Sequence, residues 1–128
     1  MKVAISAKEN YFNSQFEKYF EQAAYFVIID LDNGNGYDVI CNPGAASVND
    51  SGILMAQMLI NFGIDALITK TCNPNVQRIF NLAGISIFSA DEIIVGNIIN
   101  KLKIEKLNLT KPNYKTYLHR LERRKRDE

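Results

Sequence analysis

The sequence predicts one α/β domain on a mixed five-stranded sheet flanked by helices, in the order β-β-β-α-β-α-β-α, with a C-terminal helical tail. Three observations predict it. Two short runs, 25–31 and 65–71, have the apolar, β-branched and aromatic composition of buried strands. Asp32-Asn33-Gly34-Asn35-Gly36 is a strong turn signal directly after the first run, so residues 37–41 return antiparallel to it. Beyond residue 52, helical-period stretches alternate with strand-length ones, and strands joined through a helix run parallel.

Each element has its own justification. In residues 2–7, Val3, Ile5 and Ala7 alternate at period two, as in a strand. In residues 10–23, Phe12, Phe16, Tyr19 and Phe20 fit either a short amphipathic helix or a loop pinned by aromatics. Pro43 ends the third strand because it cannot donate a ladder hydrogen bond. Residues 45–52 form a small-residue loop in which Asp50 or Ser51 can cap the helix at 52–62. Gly63 suits that helix's C-terminal turn. Asn73 is positioned to cap the next helix, with Pro74 at its first position. Val76, Ile79, Phe80 and Ala83 form its apolar stripe, and Gly84 closes it before a short strand at 85–88. Ser89 and Glu92 have capping-box spacing, which predicts a helix opening there, carrying Ile94, Val95, Ile98 and Leu102 and ending near Lys103. Tyr114, Tyr117, Leu118 and Leu121 place a last helix in 110–126.

Composition narrows the class. A chain of 128 residues, 47% hydrophobic, can build its own core without disulfides or a structural metal. Cys41 and Cys72 alone do not make a disulfide framework. The strand pattern starts within residues 1–7, leaving no stretch for a signal peptide, and the longest apolar run, 53–62, is too short to span a bilayer. The cytoplasm is the expected location. The net charge of +1 hides an asymmetry. From Lys111 onward seven bases face three acids, a tail of +4, while eight bases and eleven acids leave the preceding residues at −3. The expected organisation is a domain over 1–108 and a basic helical tail over 109–128.

Four stretches carry a family resemblance: the opening Met-Lys-Val-Ala-Ile-Ser; Tyr19-Phe20-Glu21-Gln22-Ala23-Ala24-Tyr25-Phe26; Asn42-Pro43-Gly44-Ala45 ahead of the first long helix; and residues 66–87, whose last strand is led by Ala83-Gly84-Ile85. Together, in order over residues 1–102, they resemble the dinitrogenase iron–molybdenum cofactor-binding and biosynthesis family, whose fold is a ribonuclease H-like motif. The resemblance implies a non-enzymatic protein that binds or carries a metal–sulfur cluster, either iron–sulfur or iron–molybdenum, or a precursor. This sequence departs from the family where that cargo is held. The family's His-Phe-Gly-Arg-Ala-x-x-Phe has Tyr19 for the His, Glu21 for the Gly and Gln22 for the Arg, and its Gly-rich turn reads Thr71-Cys72-Asn73-Pro74. A His offers a metal a nitrogen ligand and an Arg balances anionic charge, whereas Glu21 repels an anion.

Cys72 is the foremost candidate metal ligand. It falls at the C-terminal edge of a parallel strand, before a helix N-terminus, where ligands of open α/β sheets gather and where the helix dipole lowers a thiol pKa. The alternative is a small residue packed in a tight turn. Asn73 and Tyr19 join it as candidate cofactor-binding residues. Asn49 and Ser51 join through their loop, which can offer backbone N–H groups to an anion or be an ordinary connection. Cys41 reads as a small residue ending a strand. His119 reads as a solvated residue among arginines. The segment 111–126 can bind a protein partner or self-associate, or can be a solvated helix end. No recognition motif accompanies it, so nucleic acid is not an expected partner. Two-metal nuclease chemistry requires clustered carboxylates near the sheet centre. The first strand has none, and Asp30 and Asp32 lie by a turn, so no nuclease activity is expected. The other expectation, from a different class, is an interaction or regulatory module that has lost cluster binding and acts through its basic aromatic tail.

Overall fold

In the computed structural model the residues described are 1–33, 36–45 and 52–107. The first strand, β1 (Lys2–Ala7), is buried on both faces from Val3 onward, as only an interior strand can be. It pairs antiparallel with β2 (Tyr25–Asp30) and parallel with β4 (Ala66–Ile68). Antiparallel β3 (Tyr37–Cys41) extends the sheet beyond β2, and parallel β5 (Ser86–Phe88) extends it beyond β4. The order is β3-β2-β1-β4-β5, the mixed five-stranded α/β sheet that the element pattern predicts.

Every strand except β2 runs in the same direction, so β1, β3, β4 and β5 all end at one edge, called here the carboxyl edge. Three helices return the chain from that edge: α1 (Ile53–Phe62), α2 (Pro74–Leu82) and α3 (Val95–Leu107). The period-two pleat sorts the core into two layers. Ala4, Phe26, Ile28 and Leu67 face α1 and α2, packing on Met55, Ala56, Leu59, Val76 and Phe80. Val3, Ile5, Val27, Ile29, Ala66 and Ile68 face α3, packing on Val95, Ile98, Ile99 and Leu102. Burying each such large side chain is worth about 1.5–3 kcal/mol relative to leaving it in water.

Residues 8–24 take the second of the two forms that the sequence allows, a loop pinned by aromatics. Phe16 belongs to the α3-side cluster and Phe20 to the α1/α2-side cluster. Residues four apart on a helix share a face, so a helix cannot send these two rings to opposite sides of the sheet. The loop is held instead by Lys8 N–H to the Gln15 carbonyl (3.0 Å) and Glu17 N–H to the Ser6 carbonyl (3.0 Å). Its helical content is a 3-10 turn at Phe20–Gln22.

The ends of α3 and of β4 differ from the sequence expectation. The capping box at Ser89 and Glu92 does not open α3, which starts at Val95. Residues just before it pair with the loop instead: Phe16 N–H donates to the Ile93 carbonyl (2.7 Å), Val95 N–H donates to the Ser14 carbonyl (2.8 Å), and Gln15 bridges Ile94. α3 also runs past Lys103, to Leu107. The strand expected over 65–71 is confined to Ala66–Ile68, because Lys70 and Thr71 N–H both turn to the Lys18 carbonyl (3.1 and 2.8 Å). Asp50, Ser51, the helix expected over 110–126, His119 and the tail over 109–128 lie outside the described residues.

The docking of α3 on the loop requires a glycine. A Cβ on Gly96 would run into Asn13 Oδ1 and fall 2.8 Å from Phe12 Cε1. Gly96→Ala is therefore expected to destabilise the fold by about 1–2 kcal/mol, overpacking outweighing the better helix propensity of alanine. Urea unfolding checks this as a lower midpoint at unchanged slope.

Candidate functional site

At the carboxyl edge the loop and the β4–α2 connection are stitched together. Besides the two bonds to the Lys18 carbonyl, Phe20 N–H donates to the Thr71 carbonyl (2.9 Å), and Tyr19 forms a parallel bridge with Thr71. Residues more than fifty positions apart thus become neighbours. Tyr19, Glu21, Cys72 and Asn73 converge on the start of α2.

Asn73 performs its predicted cap: its side-chain oxygen accepts from Asn75 N–H at 2.8 Å, with Pro74 next at the first helical position. Asn73→Ala is expected to cost about 1 kcal/mol, read as a lower thermal midpoint. The Asn73 N–H itself donates to Glu21 Oε1 at 2.5 Å. A carboxylate carried by the loop therefore rests on the positive end of α2, where the helix dipole favours negative charge. The same side chain meets the start of α1. Gly52, the N-cap of α1, sits at φ +84°, and a Cβ there would fall 3.1 Å from Glu21 Cγ and 3.2 Å from the Phe20 ring. Both the left-handed backbone and the close approach demand glycine.

Cys72 is 7% exposed and belongs to the α1/α2-side core. The expectation that the α2 N-terminus lowers its thiol pKa is overturned. Burial, and next the Glu21 charge, push the thiol up to about 11, against a smaller opposing effect of a hydrogen bond with Gln77. Gln77 also donates from Nε2 to the Cys72 carbonyl at 2.9 Å. Cys72 is a neutral thiol at physiological pH, not a ready thiolate. Cys41 is a free, exposed thiol at the end of β3, and Cys72 is free as well.

Of the predicted site residues, Tyr19, Cys72 and Asn73 come together, Tyr19 with half its surface in solvent. Asn49 and Ser51 lie outside the described residues. Asp30 and Asp32 stand at the opposite edge of the sheet, where both carboxylates engage the Met1 ammonium group. Gln77 is a member of the site that sequence reasoning missed. Its only signal was a position five residues after Cys72, one helical turn into α2.

The site belongs to a class: an α/β sheet whose helix N-termini and connecting loops gather at one edge, the usual ligand edge of such sheets. The family is more specific. The model for the dinitrogenase iron–molybdenum cofactor family matches residues 1–104, and the chain belongs to that family. An uncharacterized protein of Methanocaldococcus jannaschii is 24% identical over 107 residues, covering 82% of this chain and 86% of that protein. Among solved structures, a Thermotoga protein determined by NMR and named as a putative NifB protein of the DUF35 family superposes with a TM-score of 0.69. It is 26% identical, over 79% of this chain and 85% of its own. The apo form of the orange protein from Desulfovibrio gigas superposes with a TM-score of 0.71 at 21% identity, over 79% and 85% of the two chains, a likeness of fold.

A metal–sulfur cluster is the cargo that the family resemblance implies, and the described residues do not fit an anionic one as they are arranged. Glu21 already places a carboxylate on the α2 N-terminus, and the nearby thiol is protonated and buried. Among the described residues, no group of three or more His, Cys, Asp or Glu side chains could hold a metal ion. No described helix is long and apolar enough to cross a membrane.

Proposed function

We propose that the protein is a non-enzymatic binding or carrier protein that takes its cargo, a metal–sulfur cofactor or a precursor of one, at the carboxyl edge. The observation that carries this reading is family membership over residues 1–104. The convergence of Tyr19, Cys72 and Asn73 at the edge where such sheets bind ligands supports it. Catalysis is not part of the reading: the Asp30 and Asp32 carboxylates lie away from this edge and already neutralise an ammonium group. Anaerobic purification followed by iron and sulfide analysis, before and after reconstitution, tests the proposal. Protein that remains free of both sinks it. Metal-dependent nucleic-acid cleavage abolished by Asp30→Asn would overturn the non-enzymatic part.

A second reading is favoured by Glu21. An edge that supplies its own anion suits an interaction or regulatory module that has given up cluster binding and works through the basic segment 111–126. Truncation after Thr110 separates the two. Unchanged oligomeric state and unchanged partner capture would remove this reading.

A further inference from the structure

We propose that Glu21 is a built-in anion that competes with anionic ligands at the carboxyl edge, occupying from within the chain the position such a ligand would take on α2. The proposal rests on the reading of this edge as the binding edge, and it explains why the edge as arranged does not suit an anionic cluster. Three observations on the two sides of the side chain carry it. The carboxylate accepts the Asn73 N–H at 2.5 Å, at a helix end whose next free N–H, that of Asn75, is already taken by the Asn73 side chain. The stem of Glu21 lies against Gly52 at the head of α1, so the same side chain spans the starts of both helices. Its turn is anchored by Phe20, which is fully buried between Phe26 and Phe80 and hydrogen-bonded through its backbone to Thr71, so the carboxylate is delivered by a fixed piece of chain.

Glu21 acts as an internal competitor: an incoming anion must displace a carboxylate that is covalently tethered and favourably placed. The neighbouring thiol reports on the same charge, since Glu21 is one of the two causes that hold Cys72 protonated. Neutralising Glu21 while keeping its shape relieves both effects. Glu21→Gln retains an amide oxygen for the Asn73 N–H, so the turn has no reason to unfold. Glu21→Ala serves as the second variant, removing the side chain altogether.

The test uses the full chain without cargo, in a Cys41→Ser background so that one thiol is observed. Inorganic phosphate is titrated while the Asn73 and Asn75 amide resonances are followed by NMR, and the Cys72 thiolate is followed by ultraviolet absorbance against pH. In Glu21→Gln, phosphate affinity read at those two amides is expected to rise by about two- to thirtyfold, the range set by one charge at a helix N-terminus, and Cys72 is expected to titrate at lower pH. Equal phosphate affinity in the parent and both variants overturns the proposal, as does no binding in any of them or an unmoved thiol titration. These readouts need no iron or sulfide. A chain that fails to load a cluster sinks the carrier reading without touching the result for Glu21.

Discussion

Replacing Phe20 with alanine is expected to destabilise the fold by about 3–5 kcal/mol, the loss typical of truncating a fully buried aromatic side chain. Phe20 is 0% exposed. Its ring lies 5.1 Å from that of Phe26 on the sheet and 5.6 Å, edge-on, from that of Phe80 on α2, so one side chain joins the loop, a strand and a helix. Domains of this size are commonly stable by about 5–15 kcal/mol, so the loss takes a large part of the total. Chemical denaturation would show it as a sharp fall in midpoint. A loss below about 1.5 kcal/mol would mean that the loop is not anchored through this ring.

The second large effect is on pH dependence. Cys72 titrates near 9 when exposed and at about 11 in the folded protein. The unfolded chain therefore loses the thiol proton first as pH rises. The stability that the neutral buried thiol secures is complete below about pH 9 and declines as pH climbs toward the folded value. Two pKa units correspond to about 3 kcal/mol, lost once the pH has passed the folded value. Other groups also titrate there, so the measurement is the difference between the parent and Cys72→Ala across pH 8–11. The parent is expected to lose stability more steeply, and parallel profiles would show that the thiol is not desolvated as described.

The sequence revealed much of the fold because most elements are specified locally. The period-two alternation from Val3, the turn after Asp30 and the Asn73-Pro74 pair each determine a boundary within a few neighbouring residues. The errors arose where partners distant in sequence decided. Ser89 and Glu92 carry a valid local cap signal, yet the backbone around Ile93 and Ile94 gains more by pairing with Gln15 and Phe16, and the helix waits until Val95. The end of β4 likewise yields to Lys18. The site was legible as a location, the turn around Cys72 and Asn73, but its electrostatics were not. A helix N-terminus beside a cysteine suggests a lowered pKa. Only the fold brings Glu21 across fifty-two positions onto the same helix end and seals the thiol beneath it. Residues 12–20 show the limit of spacing arguments, since one aromatic pattern serves a helix face or, as here, two opposite faces of a sheet.

The position of β1 at the centre of the sheet has a kinetic consequence. Its pairing with β2 joins residues 2–30, and β3 adds to β2 across a connection of only a few residues. Its pairing with β4 instead joins Val3 to Ala66, closing a far longer stretch of chain. The entropic cost of closure grows with that separation and must be met before the parallel contacts repay it. The order of assembly that follows is an early three-stranded meander onto which the α1–β4–α2–β5 half docks late. Until then the inner edge of β1 is an open template for any extended segment that reaches it, so the interval before docking is when the chain is most exposed to mispairing.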